Sequence, residues 1–157
     1  MTRLYGRARL GARCLARVPH GHWQTATFIA ALRHDRISAP WFIDAPMDGE
    51  LFRTYVEQVL AKELQPCDLV ICDNLSCHKV AGVAEAIAAR GAQLRYLPAY
   101  SPDLNPIEMA FAKLKAALRA RAARDFEALL RATAQALDTF TPTDCLHFFQ
   151  HAKYATN

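Results

Sequence analysis

Asp68-Leu69-Val70-Ile71-Cys72-Asp73-Asn74 is the stretch that decides how this 157-residue chain folds. Leu69, Val70 and Ile71 show no polar alternation, as in a strand covered on both faces, so 68–73 reads as a central strand with Asp73 at its carboxyl end. Beyond it, Val80, Val83, Ala84 and Ile87 form one face of a helix, Gly91 is its natural stop, and Gln93 to Leu97 is a second short strand. The turn from Pro98 to Pro106 then leads into helical spacing at Ile107, Phe111, Leu114 and Leu118. That spacing returns at Phe126, Leu129, Leu130, Thr133 and Leu137, and again around Cys145 to Phe149 behind Thr141 and Pro142.

Upstream of the central strand, residues 3–10 alternate, Thr25 to Leu32 is an apolar, β-branched and aromatic run, and Pro40 to Asp44 is another. These read as consecutive antiparallel strands. Leu51, Phe52, Tyr55, Val56, Val59 and Leu60 then follow a helical period, with Asp48 as cap and Pro66 as terminator. Three strands, helix, strand, helix, strand and further helices predict an α/β sandwich with a mixed sheet, the order of ribonuclease-H-like folds.

A 52% hydrophobic content over this length supports one compact core, so a single domain is expected. No run of 18 apolar residues crosses a membrane, and the start lacks the apolar centre of a secretory signal, which leaves a soluble, cytoplasmic protein as the expectation. The alternation of Arg3, Arg7 and Arg9 with Leu4, Ala8 and Leu10 is strand-like and argues against a mitochondrial transit helix. Five cysteines at loose spacing fit reduced thiols better than a disulfide framework. Cys72, Cys77 and His78 lack the paired short spacing of a zinc site, and Cys72 lies within the apolar strand.

Net charge is +4, and its distribution carries more than its size. Arg3, Arg7, Arg9, Arg13, Arg17 and Arg33 fill the first 34 residues without an acid, and Lys113, Lys115, Arg119, Arg121 and Arg124 form a second cluster. Each can be solvated surface, but beside a pair of carboxylates they point to a nucleic acid.

Those carboxylates are Asp73, at a strand end where open α/β sheets place ligands, and Glu108, in the first turn of the basic helix. Their bland roles are concrete: Asp73-Asn74 as a turn pair, and Asn105-Pro106-Ile107-Glu108 as N-cap, first-turn proline and capping-box glutamate. One carboxylate has two oxygens, so Glu108 could serve a cap and still offer an oxygen to a hard cation such as Mg2+ or Mn2+. Two acids are few for a two-metal centre, and a third ligand on a neighbouring strand would be needed. His78 and Lys79 lie just past the strand end, where they could approach a phosphate, or could simply start the next helix. Lys113, Lys115 and Arg119 are candidates for contacts to a nucleic-acid backbone. Trp23, Trp41 and Tyr5 could stack on bases, although rings in strand patterns more often belong to a core.

Residues 73–79 (DNLSCHK), 97–115 (LPAYSPDLNPIEMAFAKLK) and 19–44 (PHGHWQTATFIAALRHDRISAPWFID) together resemble DDE-type insertion-sequence transposases of the mariner-related superfamily, including the 34 residues between the two acids. The resemblance implies a ribonuclease-H-like catalytic core in which Asp73 and Glu108 are the second and third acids of a metal triad, with Asn74, His78 and Asn105 supporting them. It implies Mg2+ or Mn2+ as cofactor, DNA at element ends and targets as partner through Lys79, Lys113, Lys115 and Arg119, and a homodimer. The family's first aspartate lies on a strand upstream of the part matched here, and neither Asp35 nor Asp44 has its position. The chain is therefore expected to be a carboxyl-terminal portion, without the first strand and the helix-turn-helix region, and inactive alone. A non-catalytic DNA-binding remnant and a ribonuclease-H-like nuclease unrelated to transposition are the alternatives.

Overall fold

The computed structural model describes residues 6–15, 25–123 and 125–154. Within them two strand pairs are flanked by helices, the α/β arrangement of a partial ribonuclease-H-like fold. Strands β1 (Thr27–Leu32) and β2 (Ile37–Ile43) pair antiparallel, while β3 (Leu69–Cys72) and β4 (Gln93–Tyr96) pair parallel. The mixed sheet is thus divided, among the described residues, into an antiparallel and a parallel half. Gly6 to Leu10 are exposed and form no strand, so the strand read over residues 3–10 is not made there; residues 3–5 lie outside the described residues, as do Trp23, Arg17 and Arg124. Arg7 and Arg9 keep that segment hydrated, and Leu10 remains fully exposed beside them.

β2 starts three residues before the apolar run suggests, because Pro40 and Ala39 (φ +50°) are absorbed at a register shift between Ile29 and Ala31 of its partner. A proline cannot donate to a ladder, and a bulge lets the strand continue past it. On β1, Phe28 packs with Phe111 and the buried Leu114 and Leu118, whereas Ile29 and Ala31 pack with Phe52, Tyr55, Val56 and Ile87. The period of two therefore sends neighbouring side chains into separate apolar layers, one on each face of the strand.

Helix α1 (Gly49–Tyr55) begins where the sequence places its cap: the Asp48 carboxylate accepts from the Leu51 N–H at 2.8 Å. It runs into a π turn at Val56–Leu60 and a last short turn, α2 (Ala61–Glu63), before the chain extends at Leu64. β3 follows, and a 3-10 turn at Ser76–Lys79 precedes α3 (Val83–Ala88). Gly91, at φ +72°, ends that helical segment, and the chain returns beside β3 with Cys72 opposite Tyr96. The Cys72 carbonyl accepts one more bond from the Leu97 N–H, at 2.8 Å, so pairing is maintained up to the residue before Asp73.

Helix α4 (Ile107–Arg121) buries Ala110, Leu114 and Leu118, and packs against α5 (Phe126–Leu137) and α6 (Pro142–His151). Asp125 caps α5, and Thr141 with Asp144 forms a capping box on α6.

Candidate functional site

Two elements bring the predicted acids to one place. β3 ends at Cys72, so Asp73 is fixed by a strand with a full parallel partner. Asp73 Oδ1 lies 2.5 Å from Nδ1 of His78, in the 3-10 turn. The two atoms are close enough for an ion pair but lack hydrogen-bond geometry: both are shut off from solvent, and neither has a hydrogen-bond partner. His78 cannot swing away easily. Its ring lies on Phe52 with centroids 4.1 Å apart, and its carbonyl accepts from the Tyr96 hydroxyl at 2.9 Å. α1 approaches the same turn so closely that a Cβ at Gly49 would stand 2.5 Å from Val80 Cγ1. Asn74 contributes another oxygen, Oδ1, that is buried and unpartnered.

Glu108 is carried by α4. The Asn105 side chain accepts from the Ile107 N–H at 3.3 Å, and its carbonyl accepts from the Glu108 N–H at 3.2 Å. Pro106 already has helical dihedrals, and the helix proper starts one residue later than the sequence suggests. The cap is thus made by Asn105; Glu108 is exposed, and no hydrogen bond among the described residues engages its carboxylate.

Asp73, His78, Asn105 and Glu108 all line one cavity of about 360 Å³. Glu63 and Asp68 line it as well, but Asp68 is engaged elsewhere. Arg33 donates to it through Nη1 at 3.3 Å and through a shorter Nη2 contact, and also donates to the Glu63 carbonyl at 3.0 Å. The Arg33 hydrogen bond, aided by the Gln65 N–H, holds the Asp68 carboxyl below its ordinary pKa. Arg33, counted above with the basic residues, is therefore a structural partner of Asp68.

The donor set suits one hard cation. Asp73 and Glu108 border one cavity and bring carboxylate oxygens, the donor type Mg2+ takes, although Asp73 Oδ1 is already 2.5 Å from His78 Nδ1 and Asn74 does not line that cavity. Among the described residues no group of three or more His, Cys, Asp or Glu side chains is placed to hold an ion. Cys72 packs with the apolar layer of Phe52 and Val56, and burial pushes its thiol up to about 12.

The basic residues separate into two sets. Glu108, Ala112, Lys115 and Arg119 are all exposed and recur at helical spacing, so the two cations continue the stripe that Glu108 begins. At about 1.5 Å rise per residue this stripe is about 16 Å long. Lys79 is exposed on the 3-10 turn, 5.6 Å from the Tyr96 ring centroid. Lys113 sits on another face. Its Nζ donates to Asp144 Oδ2 at 2.8 Å and to the Thr139 carbonyl at 3.0 Å, and lies 4.8 Å from the Phe140 centroid. The same contact holds the Asp144 carboxyl far below its usual range. Trp41 is also internal, stacked on Tyr55 at 6.1 Å; Tyr5 and Trp23 lie outside the described residues.

Tyr55, expected only as one apolar position of the α1 face, and Ser38, which no pattern marks, are almost fully buried, border the same cavity, and carry hydroxyls without hydrogen-bond partners. Neither interrupts the apolar period around it enough to stand out.

A profile of the DDE superfamily endonuclease domain matches residues 1–130. The fold is similar to that of the Mos1 transposase in its paired-end complex with left transposon end, with a TM-score of 0.56 and 15% identity. That similarity covers 98% of this chain and 52% of the Mos1 chain, so the chain spans about half of that protein's length. No curated protein matches it.

Proposed function

Because the chain belongs to the DDE superfamily of endonucleases, we propose that residues 1–157 form the partial catalytic domain of an insertion-sequence transposase that acts on DNA ends. The observation that carries this reading is that Asp73 and Glu108, from different elements, border one cavity.

In this reading Asp73 and Glu108 are the cation's protein ligands, and Asn74, next to Asp73 in sequence, supports them. A bound Mg2+ or Mn2+ would polarise the phosphodiester and favour deprotonation of the attacking hydroxyl. His78, stacked on Phe52, lies against Asp73 Oδ1 and holds that carboxylate in place, leaving Oδ2 for the cation, and Asn105 caps the start of the helix that carries Glu108. Lys115, Arg119 and Lys79 take phosphates on either side of the acids, supplying affinity without sequence preference. Lys113 is assigned to the α4–α6 contact and not to DNA. Cleavage breaks the P–O3′ bond as water adds to phosphorus, leaving a 3′-hydroxyl and a 5′-phosphate. In strand transfer that 3′-hydroxyl attacks a target phosphodiester, and the target's own 3′-oxygen departs with a proton.

With two acids where the resemblance implies a triad, the chain alone is expected to bind DNA and to lack strand-transfer activity. The domain would act as a homodimer on paired ends, in the cytoplasm and on the nucleoid when DNA-bound. The test is incubation of the purified chain with element-end duplex and Mg2+. Retention of DNA without cleavage is expected; Mg2+-dependent cleavage that Asp73→Ala abolishes would refute the claim of inactivity, and absence of DNA binding would refute the whole reading. The lack of a three-ligand cluster among the described residues favours a second reading, a DNA-binding remnant without chemistry. Mn2+ binding that is lost in both Asp73→Asn and Glu108→Gln would exclude it.

A further inference from the structure

We infer that Tyr154 is a positioning residue: its hydroxyl braces the turn that delivers Glu108, and so sets where that carboxylate stands relative to Asp73. The two acids are held very unequally. Asp73 follows a strand paired up to its end, whereas Glu108 is reached through residues 98–106, which leave β4 and have no ladder partner among the described residues. That segment's own hydrogen bonds are local. Ser101 bonds to Ala99, Leu104 to Ser101, Asn105 to Pro102, and Ile107 and Glu108 to Asn105. Tyr100 adds a left-handed residue, at φ +56°, whose side chain is fully exposed. A connection with only local, exposed bonds belongs to the parts of a fold that open most readily.

Tyr154 supplies the exception. Its hydroxyl donates to the Leu104 carbonyl at 2.9 Å across 50 residues of sequence. Among the described residues this is the only hydrogen bond that ties 98–106 to a distant part of the chain. Leu104 immediately precedes Asn105, the cap of α4, so the brace lands beside the start of the helix that carries Glu108.

The end of α6 is built to present that hydroxyl. The Lys153 N–H donates to the Gln150 carbonyl and the Tyr154 N–H to the Phe149 carbonyl, both at 3.0 Å, and Lys153 is left-handed at φ +65°. These are the two bonds of a Schellman motif, and the apolar contact that accompanies such a motif is also present: the Tyr154 and Phe149 rings meet edge to face at 5.9 Å. Phe149 in turn borders the cavity that Asp73 and Glu108 share. The motif accounts for the Tyr154 ring but makes no use of its hydroxyl. Lys113 of α4 binds Asp144 in the first turn of α6, while Tyr154, just past the last, binds Leu104 just before α4. About 15 Å long, α6 therefore lies antiparallel across the junction of turn and helix, tied on both sides of it.

This inference rests on the proposed function for what Glu108 does, and the experiment separates the two. The purified full chain is titrated with Mn2+ by electron paramagnetic resonance, and amide exchange is measured by NMR without metal. Tyr154→Phe keeps the ring on Phe149 and removes only the hydroxyl. It should weaken Mn2+ binding at least threefold and quicken exchange at Leu104, Asn105, Ile107 and Glu108 at least threefold, leaving 69–72 unchanged. Asp125→Ala, which removes the cap of α5 and lowers the melting temperature without touching the turn, should alter neither. Unaltered exchange at 104–108 in Tyr154→Phe would overturn the inference, as would quickening that extends equally to 69–72 or effects that Asp125→Ala reproduces. Mn2+ affinity that falls in Asp73→Asn and Glu108→Gln but not in Tyr154→Phe would overturn it too. If wild type binds no Mn2+ through these acids, the proposed metal site fails instead, and the exchange pattern alone decides whether Tyr154 holds the turn.

Discussion

The two kinds of lysine on α4 make a quantitative prediction about DNA affinity. Lys115 and Arg119 are exposed on the stripe that starts at Glu108, whereas Lys113 is held by Asp144, Thr139 and Phe140. Each cation that neutralises a phosphate contributes about 0.9 to the slope of log K against log salt. Replacing Lys115 and Arg119 together by alanine should therefore flatten that slope by about 1.8. Between 1 M and 0.15 M salt such a contact gains about fivefold in affinity, so the double variant should bind about 30-fold more weakly at 0.15 M. Lys113→Ala should leave the slope within about 0.3 of wild type, because its charge is already paired, and should instead lower the melting temperature by uncoupling α4 from α6. The assay is fluorescence anisotropy of a labelled duplex titrated at several KCl concentrations, with melting followed in parallel. A slope that responds to Lys113→Ala as strongly as to Lys115→Ala would refute the assignment of the two faces.

Three other outcomes follow from single contacts. Arg33→Met should cost about 1 to 2 kcal/mol at pH 7 by urea denaturation, a charged hydrogen-bond value reduced for partial exposure. Because the Asp68 carboxyl is lowered by Arg33, its share of stability is complete above the unfolded value of about 3.9 and disappears as pH falls through the lower folded one, so the wild-type advantage should shrink only below about pH 4; an advantage unchanged at pH 2 would contradict this. Gly49→Ala forces a Cβ against Val80 and should destabilise by about 1 to 3 kcal/mol, while shifting the His78 ring resonances; a neutral effect would show that the turn yields freely. Native Cys72, with its thiol pushed up to about 12, should resist iodoacetamide at pH 8 while the exposed Cys67 reacts, as peptide mass mapping would reveal.

The parts of the fold legible in sequence are those governed by local period. The continuous apolar run at 69–72, the cap at Asp48, the stop at Gly91 and the α4 spacing all appear where the residues place them. The alternation at 3–10 misleads over 6–10 because it states which faces a strand would have, not whether a partner exists to pair with it; Gly6 to Leu10 pair with no strand among the described residues and stay exposed. The π turn at Val56–Leu60 has no sequence mark, since Phe52, Tyr55, Val56 and Leu60 remain apolar under either helical geometry. For the site, Asp73 and Glu108 were visible as strand-end and helix-start acids, and one cavity now contains both. The partner of Lys113 was not visible, because Asp144 lies 31 residues away and long-range pairing has no period. Arg33 and Asp68, 35 residues apart, were hidden for the same reason.

Glu108, Lys115 and Arg119 share one rigid rod, whose phase is set by the buried face of Ala110, Leu114 and Leu118 and whose start is capped by Asn105. One extra residue between Glu108 and Lys115 would turn the cations by about 100° relative to the acid. Natural variation that repositions the proposed metal ligand must therefore drag the phosphate-gripping edge with it, so the two are inherited as a single mechanical part.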